Sequence, residues 1–161
     1  MSPPLPMHAP NLVPDPGLVA HPRACLFAVR VTTEHAGNPA GHVWNVEYVR
    51  WIDHVAERHA ALLGWTRDRL IELGALWFVA RHEIDYHDEA HVGDDLVVAT
   101  WVRSQRRVRS WRETVIYRAV DGRLICRGVT MWALVDLGSR RPRRIPDEMA
   151  RSFEPLADET S

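Results

Sequence analysis

The chain has 161 residues, enough for one domain with a proper core, and its 46% hydrophobic and 25% charged residues are ordinary for a soluble globular protein. Twenty basic residues, all arginine, balance 21 acidic ones, so there is no electrostatic footprint for nucleic acid. No apolar run approaches the roughly 20 residues of a membrane helix, and no membrane partner is expected.

Residues 1–23 hold seven of the eleven prolines and little that builds a core. They lack the basic start and apolar stretch of a signal peptide. They read as a flexible or surface-draped tail, and a cytoplasmic location is expected. Residues 24–32 have strand composition. Next comes the turn Asn38-Pro39-Ala40-Gly41, whose proline and glycine keep a helix from starting earlier. A helix over 43–63 follows, ended by Gly64. At about 100° per residue, Trp44, Tyr48, Trp51, Ile52, Val55 and Leu62 share one side. Val49, Ala56, Ala60 and Leu63 widen that arc to more than half the circumference, leaving Glu47 and Glu57 on a narrow polar face. A surface helix carries an apolar stripe of only about 100° or somewhat more, so this helix must be wrapped. The strands that follow are the wrapper.

Thr66 caps a short helix over 67–73, closed by Gly74. From residue 76 the period becomes two, giving strands over 76–86, 95–103, 110–120 and 123–136. Gly93-Asp94 and Asp121-Gly122 supply turns, the second a tight hairpin. Short connections imply antiparallel pairing. A short helix over 146–153 and a frayed end, 154–161, complete the chain. The expected fold is α+β: one five-stranded antiparallel sheet around one long helix, spanning 24–153. Cys25 and Cys126 have neither disulfide nor metal spacing and read as buried thiols; no metal or cofactor is expected.

Pro39, Ala40, Gly41 and Val43, followed by Tyr48, Arg50, Trp51 and Asp53, resemble the turn-and-helix motif of hotdog-fold acyl-CoA thioesterases, specifically the 4-hydroxybenzoyl-CoA thioesterase branch. Tyr86, Gly93, Asp94, Trp132 and Ile145-Pro146 extend the likeness along the chain. The resemblance implies a hotdog fold and hydrolysis of an acyl or aroyl thioester carried on coenzyme A or an acyl carrier protein. It also implies assembly as a homodimer or homotetramer.

The departure falls on the catalytic position, where the branch has aspartate and this chain has Asn38. An amide has no useful basicity at neutral pH and is a poor nucleophile. It can hold a water or donate to a carbonyl oxygen, or simply close the turn. The resemblance places a carbonyl-polarising backbone N–H at Asn45 and a histidine that polarises, shuttles protons or merely caps at His42. Asp53, eight residues past Asn45, stands where phenylacetyl-CoA-type hotdog enzymes carry their catalytic carboxylate. In the hydroxybenzoyl branch this position contacts the substrate's hydroxyl. The plain reading is a helix carboxylate paired on the surface.

Tyr48 and Trp51 of the motif are expected to bind substrate. So are Arg107 and Arg109, which lie in a hairpin cluster with Arg103 and Arg106. Arginine suits a CoA or phosphopantetheine phosphate, though charge runs are commonly solvated surface. Thioesterases of enediyne polyketide pathways also have asparagine at this turn, followed by a similar Tyr48-Val49-Arg50-Trp51 run. Two alternatives follow: polyketide chain release or tailoring without an acidic nucleophile, and non-hydrolytic acyl binding.

Overall fold

Eighteen residues, Asn45–Leu62, form the long helix, α1. In this computed structural model, residues 2–37 and 40–158 are described; the turn residues Asn38 and Pro39 lie outside them. The chain approaching α1 is fixed by pairing to two other segments. Val43 N–H donates to Ala90 O at 2.9 Å and Trp44 N–H to His35 O at 3.1 Å. Gly41 makes the bend before it at φ 72°, a left-handed conformation that disfavours any residue with a Cβ. The short second helix, α2, is Arg67–Glu72, and Thr66 Oγ1 accepts Arg69 N–H at 3.2 Å as its cap. A third helix, α3, spans Asp147–Ser152.

The five expected long strands are present as β2 (Cys25–Arg30), β3 (Ala75–Tyr86), β4 (Asp95–Arg106), β5 (Arg109–Arg118) and β6 (Leu124–Asp136). The sheet is nevertheless wider than five. A two-residue β1, Met7–His8, pairs antiparallel with β2, and a two-residue β7, Ala157–Asp158, pairs in parallel with β4. The order is β1-β2-β4-β5-β6-β3. The extra strands satisfy backbone that the long ones leave open. Six-residue β2 covers β4 only from Asp95 to Thr100, so β7 can reach Ser104 and Gln105.

The concave face of this curved sheet wraps α1. Trp51 and Ile52 are fully buried and pack with Val55, Phe27, Val98 and Ile116 in one core. Gly128 in β6 marks the close approach: a Cβ there would lie 3.0 Å from Ile52 Cδ1. The convex face is apolar too, because alternate positions Val97, Ala99, Trp101, Val115 and Tyr117 point that way, and Val19 packs over them. The proline-rich segment is therefore held rather than flexible. Its carbonyls act as acceptors: His35 Nε2 donates to Pro4 O at 2.8 Å and His54 Nε2 to Pro6 O at 3.2 Å. Asp15 N–H donates to Tyr117 Oη at 3.2 Å. The C-terminal residues up to 158, expected to fray, are tied by β7, by Leu156 N–H donating to Val102 O at 3.3 Å, and by His21 Nε2 donating to Glu154 O at 2.7 Å.

Deleting residues 2–20 exposes that convex apolar face. It is expected to lower stability by about 3 kcal/mol or more, read as a reduced urea midpoint with increased binding of a hydrophobic dye. An unchanged midpoint would show that the segment contributes nothing to the fold.

Candidate active site

Trp44 sits at the N-cap of α1 in extended conformation and gives no side-chain cap. Helix geometry leaves the first N–H groups without intrahelical partners. Glu47 N–H finds Trp44 O at 3.0 Å, but the amides of Asn45 and Val46 have no acceptor among the described residues. Both residues are exposed. Two N–H dipoles at a helix start, open to solvent, are what a developing oxyanion needs. Tyr86 Oη donates to Asn45 O at 3.4 Å and steadies this turn.

Two helical turns on, a cavity of about 290 Å³ opens between α1, α2 and strands β3 to β6. It exists because the α1 residues over it, Ala56 and Ala60, are small. Its walls include Trp65, Trp77, Trp132 and Phe153, and Asp53 and Glu57 stand on its helix side. The carboxylates of α1 differ in their partners. Glu47, buried, pairs with Arg50 at 3.0 Å, and Glu57 with Arg67 at 3.7 Å. Asp53 makes no hydrogen bond or ion pair with any described residue. It is therefore the carboxylate of the helix that remains available to a water or a substrate.

The sheet beneath the second half of α1 is polar: Thr100, Arg112, Thr114 and Thr130 are all buried on its concave face, and of these Arg112, together with Ser110, reaches the cavity. Arg112 Nη1 donates to His59 Nδ1 at 2.9 Å and to Thr100 Oγ1 at 3.1 Å. A guanidinium can only donate, so Nδ1 of His59 carries no proton. Burial, reinforced by the Arg112 charge, pulls the His59 imidazole down to about 3. Burial also lowers Arg112, to about 10, which leaves it charged at neutral pH. The same desolvation lifts Cys25 to about 11 and Cys126 to about 12, so neither presents a thiolate nucleophile near pH 7.

Of the residues singled out from sequence, Asn45 and Asp53 occupy positions with chemical use, one at the helix start and one at the cavity. His42 is half-buried just before the helix, where its backbone bridges to His91. Asn38 lies outside the described residues. Trp51 is fully buried and Tyr48 nearly so; they pack edge-to-face, 5.4 Å between ring centroids, within the core and away from the cavity walls. Tyr48 Oη instead accepts Ala90 N–H at 3.2 Å. Arg107 sits at the tip of the β4–β5 hairpin and Arg109 at the start of β5, both exposed. Arg112 and His59 do not stand out in the sequence. The available signal is Ser110, Arg112 and Thr114 at alternate positions of a strand, a pattern that equally describes a solvent face.

Comparison with known proteins bears on this arrangement. A family model described as the acyl-ACP thioesterase N-terminal domain matches residues 37–153. The chain is 23% identical over 108 residues to the chloroplastic oleoyl-acyl carrier protein thioesterase 1 of Arabidopsis thaliana, a match covering 63% of this chain and 30% of that one. It thus spans less than a third of the length of that relative. It is 28% identical over 131 residues to the acyl-CoA thioesterase YbgC of Haemophilus influenzae, covering 81% of this chain and 94% of the other. In fold it is similar to Slr0204, a 1,4-dihydroxy-2-naphthoyl-CoA thioesterase from Synechocystis. That superposition has a TM-score of 0.73 at 18% identity and covers 81% of this chain and 96% of the other.

The buried neutral histidine sets an acid limit. Unfolded, His59 takes up a proton near pH 6.5, whereas folded it does so only near 3. Its contribution to stability is thus complete above about pH 6.5 and is lost as pH falls. Lowering pH from 7 to 4.5 is expected to cost about 3 kcal/mol through this group. His59→Gln, which keeps an acceptor for Arg112, should flatten that part of the urea-stability profile. An identical slope in the variant would refute the assignment.

Proposed function

The chain belongs to the acyl-ACP thioesterase N-terminal domain family, and on that footing we propose that it hydrolyses the thioester of an acyl or aroyl group carried on coenzyme A or an acyl carrier protein. The observation that carries this reading is Asp53, a carboxylate without a partner among the described residues, on the wall of a largely apolar cavity. Asp53 takes a proton from water, and the water oxygen adds to the thioester carbonyl. The oxygen of the tetrahedral intermediate takes the negative charge and is met by N–H groups at the start of α1. Collapse breaks the C–S bond, the thiolate leaves and recovers the proton held by Asp53, and a carboxylic acid remains.

These two parts cannot meet within one copy. Eight residues of helix separate Asn45 from Asp53, about 12 Å along the axis at about 1.5 Å per residue, against a hydrogen-bond reach of about 3 Å. The proposed centre therefore joins the helix start of one copy to Asp53 and the cavity of a second. Edge strand β3 supports such a homodimer. Twelve residues long, it is paired among the described residues on one side only, by β6, and it presents Phe78 at 61% exposure. Long uncovered edges invite a second chain. Arg106, Arg107 and Arg109 make no ion pair among the described residues. They adjoin Ser110 of the cavity wall and suit the phosphates of CoA or phosphopantetheine. Within the family, the turn-and-helix residues from Pro39 to Asp53 favour the hydroxybenzoyl-CoA-like branch.

A thiol-release assay on aromatic and aliphatic CoA thioesters and on loaded carrier protein tests the proposal. Asp53→Asn is expected to lower kcat about 100-fold or more, with Asn38→Ala costing less. The reverse ranking would move the chemistry to the turn amide, as in the enediyne-like reading. Absence of turnover on both carriers would leave acyl binding as the function. Light scattering should give a dimer or tetramer, and a monomer would break the shared-site geometry.

A further inference from the structure

The cavity floor holds a cation with no counter-ion among the described residues. Arg112 is 5% exposed, yet it takes part in no ion pair among the described residues. Its hydrogen bonds come from Nη1 alone and go to two neutral acceptors, His59 Nδ1 and Thr100 Oγ1. The guanidinium carbon lies 5.6 Å from the centre of the Phe153 ring, a cation–π contact that leaves the charge without an anion. The remaining donors, on Nε and Nη2, meet no acceptor from a described residue, although a guanidinium presents five N–H groups in a fixed fork. The carboxylates on the same cavity do not answer it. Glu57 is paired with Arg67, and Asp53, exposed on the helix side, makes no pair. On the same wall, Trp132 also keeps a buried indole N–H without an acceptor. The cavity is therefore rich in donors and positive at its base.

A buried unpaired charge is costly, and so is a buried donor left unsatisfied. A protein that needed only packing at this position could have placed an apolar residue there. We infer that Arg112 is a specificity residue: it receives a carboxylate at the far end of the bound acyl group, so that the preferred substrate is the monothioester of a small dicarboxylic acid. The fork of Nε and Nη2 matches the two oxygens of a carboxylate. The cavity volume, about 290 Å³, lies at the small end of ligand pockets, commonly about 300–1,000 Å³, and so selects a short chain or a single ring. The carboxylate enters as the missing counter-ion, with Thr100 and His59 holding the guanidinium in place from behind. The inference rests on the reading of this cavity as the acyl pocket.

Two measurements separate its failure from that of the hydrolysis reading. The first compares glutaryl-CoA with pentanoyl-CoA, which differ at the distal end. Wild-type protein is expected to favour the glutaryl thioester about tenfold or more in kcat/KM, the scale of one charge-assisted hydrogen bond. Arg112→Gln should bring that ratio to about one or below, and Arg112→Lys should keep part of it. The second measures binding of free glutarate and pentanoate to the wild-type protein by calorimetry, with no turnover required. Tighter glutarate binding that weakens in Arg112→Gln supports the inference even if no thioester is cleaved, in which case the hydrolysis proposal falls alone. Turnover with a wild-type ratio near one, or equal binding of the two acids, overturns the inference and leaves hydrolysis standing. Preference for a neutral distal hydroxyl, as in 4-hydroxybutanoyl-CoA, over the carboxylate would likewise overturn it. The wild-type ratios are decisive even if a variant at Arg112 fails to fold.

Discussion

Burial of α1 is the constraint from which the rest of the molecule follows. Its apolar arc covers more than half of its circumference, too much for one flat contact, so the sheet has to curve around it. Trp51 sits at the centre with no exposed surface, met edge-on by Tyr48 and by the ring of His35. Each of those neighbours has a second tie. Tyr48 accepts Ala90 N–H, and His35 uses Nδ1 to accept Thr32 N–H and Nε2 to donate to Pro4 O. The helix start is thereby braced against both the 87–94 connection and the N-terminal segment. Open N–H groups at that start are held by packing and do not depend on a cap.

A sheet that curves around a helix has a second face to cover, and here the strands carry apolar side chains on both. The N-terminal segment supplies the cover. Proline suits such a segment, because an extended chain with few N–H groups can lie across a surface, and on the helix side the Pro4 and Pro6 carbonyls accept from His35 and from His54 of α1. The same prolines that argue against a folded element permit a strap.

Along the concave face the character changes. Under the first half of α1 the floor is Phe27, Val98 and Ile116, whereas under the second half it is Thr100, Arg112, Thr114 and Thr130. The helix becomes smaller above that floor, at Ala56 and Ala60. Polar floor and small roof together make a cavity instead of a core. The cost is visible in the depressed His59 and the unpaired Arg112. Stability has been given up at one place, and local departures of that kind mark sites of function.

The long helix, its turn and the five long strands can be read from sequence, because each follows from a local rule: periodicity of 3.6 or 2, a capping threonine, a glycine at a bend. Asp53 can be chosen over Glu57 only weakly that way, since Asp53 lies at the arc's edge and Glu57 on the polar face just beyond it; the ion pair with Arg67 decides it. Tyr48 and Trp51 belong to a motif, and a motif does not say whether a side chain faces substrate or core. Segments 2–23 and 154–158 look loose in the sequence because their order comes from distant partners, Tyr117, His35 and Val102, and not from their own composition. Arg112 in an alternating strand has the same pattern whether its face meets water or a helix. By itself, then, the sequence determined which segments are helix and strand, because those preferences are local. Which polar side chains are buried, which are left without partners and where space remains was decided only by the tertiary structure, because each depends on contacts between residues far apart in the chain.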